Sequence, residues 1–144
     1  MSDPKQTVRF LDSVPLFSGL NSRQLEHLAR RFVERDYAAG QAIVTQGTGG
    51  EGFFIVASGR AEAIRERADG TRAVVNTFGP TDFFGELALL DDGLRTASVV
   101  TTEPTRCLVL TRWDFLAALR EDPEMAIVVL QELARRFRRA LETM

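Results

Sequence analysis

Phe84-Gly85-Glu86-Leu87-Ala88-Leu89-Leu90-Asp91-Asp92-Gly93-Leu94-Arg95-Thr96-Ala97-Ser98-Val99 is the stretch on which the reading of the whole chain turns. A glycine and an acid open one apolar turn, a polar hinge follows, and an arginine with small hydroxyl neighbours leads back into a β-run. Gly85 has no side chain to block close approach, and the turn it opens presents backbone N–H groups with partial positive charge. A phosphate fits such a turn. Across the hinge, Arg95 offers a planar fork of donors to the same anion. Glu86 is an acceptor, suited to a sugar hydroxyl rather than to phosphate. Phosphate and sugar together indicate a nucleotide.

Each of these residues also has a simpler explanation. An acid in a first helical turn is favourable through the dipole alone, by about 0.3–1 kcal/mol, and Arg95 has Asp91 and Asp92 as nearby exposed partners. Taken singly, those explanations win. Sheet stability, however, requires no combination of glycine, acid, apolar turn, arginine and hydroxyl at this spacing.

Gly-Glu-Leu-Ala-Leu, a short hinge and Arg-Thr-Ala-Ser-Val resembles the phosphate-binding cassette of the cyclic nucleotide-binding domain family, which includes catabolite-activator-type regulators, kinase regulatory subunits and nucleotide-gated channels. The runs from Gly40 to Gly47 and from Gly52 to Gly59 are similar to the paired-glycine strands that lead into that family's barrel. The resemblance covers about residues 10–140. Leu94 departs from it where many members place proline, which bears on the stiffness of the hinge.

The resemblance implies a mainly β fold with flanking α: a double-stranded β-helix (jelly-roll) barrel with N-terminal helices and a long C-terminal lid helix. It implies a cyclic mononucleotide, cAMP or cGMP, as ligand, with no metal and no further cofactor. The phosphate would rest on Gly85, Leu87, Ala88, Arg95, Thr96 and Ala97, and Glu86 would accept from the ribose 2′-hydroxyl. The base would lie against Ala63, Val75 and Asn76, with Arg136 reaching in from the closing helix. A threonine at the place of Thr96 contacts the guanine amino group in some members, while others with the same residue prefer cAMP or take both. Where some bacterial regulators place Thr-Ser to read the adenine edge, this chain has Ala140-Leu141, so base reading there is weaker or apolar. The expectation is cAMP favoured over cGMP.

With 144 residues, 44% apolar and 26% charged, the chain fits a single domain. Its expected parts are an N-terminal helical segment over 1–36, a β-barrel over 37–110 holding the cassette at 84–99, and C-terminal helices over 111–144. A net charge of −2 lacks the basic bias of a nucleic-acid binder, so no nucleic-acid partner is expected for this chain. The single cysteine, Cys107, sits in an apolar run, cannot form an internal disulfide, and reads as a buried, reduced thiol. No run approaches the ~20 apolar residues that span a bilayer, and the N-terminus lacks a signal pattern. A cytoplasmic protein without a membrane partner is the expectation.

Residues 1–7 read as frayed, and 8–17 as a short helix that stops before Pro15. Asn21 and Gln24 form a capping box, with Leu20 and Leu25 as its staple, for a helix over 22–33. His27 falls off its apolar stripe and reads as exposed. From 37 to 110, Gly40, Gly47, Gly49, Gly50, Gly52, Gly59, Gly70, Gly79, Gly85 and Gly93 punctuate short β-runs, the pattern of a sandwich or barrel. Asp69-Gly70 signals a two-residue hairpin between strands over 61–66 and 71–78, and strands over 97–101 and 105–110 complete the region. Phe53, Phe54, Phe78, Phe83 and Phe84 read as core rather than as base-stacking residues. Thr111 and Asp114 fit a capping box, and Asp122-Pro123 fits an N-cap with proline at the first helical position. From there one helix runs over 124–143, with Ala126, Leu130, Leu133, Phe137 and Ala140 as its seam and Ile127, Ala134 and Leu141 widening it. That seam is wide enough to cover the ligand and also to pair with a second copy of the chain. Arg135, Arg136, Arg138 and Arg139 lie on the other side, where the dipole alone favours them.

A two-histidine, one-carboxylate iron site needs two histidines, and the chain has only His27. Ser-His-Asp and Cys-His chemistry would need that same residue as base, and a Walker-type phosphate loop is missing. The reading is therefore a binding module that passes its signal to an effector protein or domain, and not an enzyme. The alternative is the ligand-binding part of a catabolite-activator-type transcription regulator whose helix-turn-helix domain is absent from this chain.

Overall fold

Between residues 33 and 111 the β-branched and aromatic runs are too short for helices and are broken by glycine, so their apolar surface is buried by pairing strands. The structure, a computed structural model, describes residues 4–49, 52–91 and 93–144. Met1–Asp3 of the expected frayed end, Gly50 and Asp92 lie outside the described residues. The chain divides into a β unit, Val33–Arg112, and a helical unit made of the segment up to Phe32 with Trp113–Met144.

The β unit contains β1 (Val33–Tyr37), β2 (Ala42–Val44), β3 (Gly52–Ser58), β4 (Ala61–Glu66), β5 (Arg72–Phe78), β6 (Phe83–Phe84), β7 (Ser98–Thr101) and β8 (Thr105–Thr111). They form two antiparallel four-stranded sheets, ordered β1-β8-β3-β6 and β2-β7-β4-β5. Phe54, Val56, Cys107 and Val109 of the first sheet and Ala61, Ala63, Phe78 and Val99 of the second make one buried core. This is an open β-sandwich and not the closed barrel expected. Closure needs a hydrogen-bonded ladder that runs on from one sheet into the other; here β2 has three residues and β6 two, too few to carry it.

Several boundaries also moved. The strands begin at Val33 rather than 37, because Val33 to Tyr37 pair residue for residue with Val109 to Thr105 of β8, and that pairing overrides the helical period at Phe32. The hairpin after β4 is longer than expected: Arg67 N–H donates to Thr71 O at 2.8 Å, enclosing Ala68-Asp69-Gly70 with Gly70 at φ +85. A three-residue loop with glycine in the left-handed region is the next most common hairpin solution.

In the helical unit are α1 (Pro4–Asp12), a 3-10 turn (Pro15–Phe17), α2 (Ser22–Ala29), α3 (Arg112–Glu121) and α4 (Pro123–Glu142). α1 starts earlier than expected, and Thr7 is fully buried rather than frayed; proline is well tolerated in a first helical turn. The α2 capping box forms as read, with Gln24 N–H donating to Asn21 Oδ1 at 2.9 Å and Asn21 N–H to Gln24 Oε1 at 3.0 Å. Asp122 precedes α4 without a side-chain cap, although Pro123 does occupy the first turn.

The face of α4 that is buried within the chain is not the apolar seam read from the sequence. Met125, Val129 and Glu132 are buried, whereas Leu130 and Phe137 are 63% and 67% exposed. Glu132 tolerates that position because Arg135 and Arg139 reach its carboxylate at 3.2 and 3.3 Å. A charge neutralised from its own helix is invisible to a count of apolar residues.

Candidate functional site

Register between β3 and β6 starts the site. Phe54 pairs with Phe84 and Ile55 with Phe83, and the Phe54 and Phe84 rings stack with centroids 5.0 Å apart. The chain then reverses at Gly85, at φ +83 and ψ +17, and enters a 3-10 turn, Glu86–Leu89, whose Leu89 is fully buried. Ala88 N–H donates to Gly85 O at 3.0 Å, so the N–H groups of Glu86 and Leu87 lie ahead of the first bond inside the turn. A Cβ at Gly85 would stand 2.5 Å from Arg95 Nη1 and 2.8 Å from Gly52 O, closer than side chains pack. Only glycine suits both this φ and this approach.

Arg95 is fixed at both ends. Its N–H donates to Thr48 O at 2.8 Å and its carbonyl accepts from Gly47 N–H at 2.9 Å. Nη2 donates to Gly52 O at 2.6 Å, and Cζ lies 5.9 Å from the Phe54 ring centroid. Within the hinge, Asp91 Oδ1 accepts from Gly93 N–H at 3.0 Å, closing a local Asx turn.

A bulge shapes the opposite wall. Ala63 pairs with Asn76 but Ile64 pairs with Val74, so Val75 is an extra residue on β5. Two successive residues, Val75 and Asn76, therefore line the same space, where a regular strand would present only one.

That space is a cavity of about 610 Å³. Gly85, Glu86, Leu87, Ala88, Arg95, Thr96 and Ala97 line it together with Ala63, Val75 and Asn76. Arg136 belongs to α4 of the helical unit and is half-buried. The sequence reading missed Val44, Arg65, Asp91 and Val99 among the lining residues. Arg65 was within reach of it, standing two places after Ala63 on β4 and so on the same face. Phe78, read as core, is in the core, and Phe84, read the same way, is partly buried against it; both also line the cavity.

A second cavity of about 670 Å³ lies in the helical unit, around Asn21, Gln24, His27, Glu121 and Asp122. Its polar groups are largely engaged with one another. Glu121 Oε2 takes Arg31 at 2.6 Å and His27 at 3.1 Å, and Arg31 foremost, then His27, holds its carboxyl below the usual range. The smaller cavity is the better candidate because glycine turn, guanidinium, carboxylate and apolar wall converge on it. Among the described residues, no group of three or more His, Cys, Asp or Glu side chains is placed to hold a metal ion.

A sequence profile described as "Cyclic nucleotide-binding domain" matches residues 34–122. The chain belongs to the cyclic nucleotide-binding domain family. It is similar to the Cyclic AMP receptor protein of Thermus thermophilus, at 39% identity over 126 residues, 88% of this chain and 58% of that protein. It is also 39% identical over 106 residues to the cAMP-dependent protein kinase regulatory subunit of Aspergillus fumigatus, which covers 74% of this chain and 25% of that protein. The chain thus spans only about half, or a quarter, of the length of these relatives. Among solved structures, the N-terminal domain of a transcriptional regulator from Streptomyces coelicolor superposes with a TM-score of 0.87 at 30% identity, covering 94% of each chain. The family assignment accords with the open sandwich and flanking helices described above.

Proposed function

We propose that this chain is a cyclic nucleotide-binding regulatory module, selective for cAMP over cGMP, that transmits binding through α4. The observation that carries the reading is the convergence of Gly85, Glu86, Arg95, Val75 and Asn76 on one cavity. The cyclic phosphate docks on the Gly85 to Ala88 turn, exchanging the 3.0 Å bond from Ala88 to Gly85 for one to a phosphate oxygen, and on Arg95. Thr96 and Ala97 complete that end. Glu86 accepts from the ribose 2′-hydroxyl, and the base lies over Ala63, Val75 and Asn76. α4 then closes as a lid and brings Arg136 to the nucleotide.

A ligand moves α4 only if it contacts the closed state better than the open one. The exposed Leu130, Phe137 and Leu141 supply an apolar face for a second copy of the chain or for an effector. No helix among the described residues is long and apolar enough to cross a membrane, in keeping with a cytoplasmic module. A second reading is favoured by the 58% coverage of the Thermus relative: the chain is the sensor part of a transcription regulator whose DNA-reading domain lies in a longer polypeptide.

The test is titration calorimetry of the purified protein with cAMP and cGMP, with mass by light scattering in each state. Saturable binding of both, tighter for cAMP, is expected. Absence of binding to either overturns the proposal.

A further inference from the structure

A second arginine lines the cavity besides Arg95. Arg65 lines it from β4, on the wall where Ala63 and the Val75-Asn76 bulge stand. The two arginines differ in state. The Arg95 side chain is half-buried and bonded to Gly52, whereas the Arg65 side chain is exposed and has neither hydrogen bond nor ion pair among the described residues. On the same wall Asn76 Oδ1 accepts from Thr77 N–H at 2.8 Å, so the amide nitrogen is the end of that side chain still to be used. The base wall therefore presents donors.

Purines differ in what they offer to donors. Guanine carries two adjacent acceptors, O6 and N7, which a guanidinium fork meets with two parallel hydrogen bonds. Adenine has the N7 acceptor next to an amino group, which is itself a donor and opposes the fork. Resting on the ligand reading above, we infer that Arg65 is a specificity-determining residue that grips the O6/N7 edge of guanine and so narrows the preference for cAMP over cGMP. Phosphate and ribose are common to both nucleotides, so a residue acting on them changes both affinities together. One acting on the base edge changes their ratio.

The experiment is calorimetry with cAMP, cGMP and 7-deaza-cGMP on the wild-type chain and on the Arg65→Leu and Arg65→Lys variants. Arg65→Leu lowers the cGMP-to-cAMP affinity ratio by about fivefold or more. Arg65→Lys, which keeps the charge and loses the fork, falls between the two. Replacing N7 by carbon weakens binding to wild type and leaves binding to Arg65→Leu unchanged. Equal weakening of both nucleotides, or an unchanged ratio, overturns the inference while leaving the proposed function standing. A wild-type chain that binds neither nucleotide overturns both.

Discussion

Nη2 of Arg95 donates a 2.6 Å hydrogen bond to the carbonyl oxygen of Gly52, tying the tail of the cassette to the first residue of β3. The bond orients the guanidinium before any anion arrives, so little side-chain entropy remains to be lost on binding. Arg95→Ala removes both the charge and this orientation. It is expected to weaken cyclic nucleotide binding by about 2–5 kcal/mol, tens- to thousands-fold, the range for truncating one partner of a buried, hydrogen-bonded charge pair. Calorimetry giving the wild-type affinity would remove Arg95 from the phosphate site.

Gly85 adjoins the same guanidinium. A methyl group there meets Arg95 Nη1 at 2.5 Å and Gly52 O at 2.8 Å, at a φ of +83 that an L side chain rarely adopts. Gly85→Ala therefore displaces Arg95 and strains the turn together, at a cost of about 1–3 kcal/mol in folding stability. Urea denaturation should show the lower midpoint, and nucleotide affinity should fall in the same variant. A variant as stable as wild type would mean that the turn relaxes freely.

What could be read from the sequence follows a physical division. That Gly85, Glu86 and Arg95 meet at one cavity was legible because their residue types and spacing all lie within one short stretch. Ala63, Val75 and Asn76 came from family resemblance alone; their meeting in space depends on β4–β5 register and on a bulge that periodicity does not encode. The start of β1 was hidden because its partner, β8, lies more than sixty residues downstream. Closure of the barrel was over-read, since alternation tells which face is buried but not whether two sheet edges join. The buried face of α4 was not legible because Glu132 looks like a surface residue until its two arginines are placed.

Thr81 is the only non-glycine at positive φ, +76, among the described residues. It follows Pro80 in the turn that delivers β6, where Asp82 N–H donates to Gly79 O at 3.0 Å and Thr81 N–H to Val56 O at 2.8 Å. Glycine or asparagine normally fills the position after proline in such a turn, and a β-branched residue there is strained. Thr81→Gly should relieve more strain than it adds in unfolded-chain entropy, a net stabilisation of about 0.5–2 kcal/mol. A higher urea midpoint with unchanged slope is the expected record. A lower midpoint would show that the threonine side chain contributes more than its backbone costs.

Cys107 is fully buried in the sandwich core, and burial pushes its thiol up to about 12. In the unfolded chain the thiol ionises near its ordinary value, so between about pH 9 and 12 the unfolded state releases a proton that the folded state keeps. Stability attributable to this group is thus intact below about pH 9 and falls by roughly 1.4 kcal/mol per pH unit above it. Other groups titrate in the same window, which makes the useful quantity the difference between wild type and Cys107→Ala in urea unfolding. That difference should shrink by about 1 kcal/mol or more from pH 8 to pH 10. In parallel, a thiol reagent at pH 8 should modify the native protein only as fast as the sandwich opens and the denatured protein at once, because the thiolate is the reactive species. Rapid modification of the native chain would place Cys107 at the surface and contradict the core built around it.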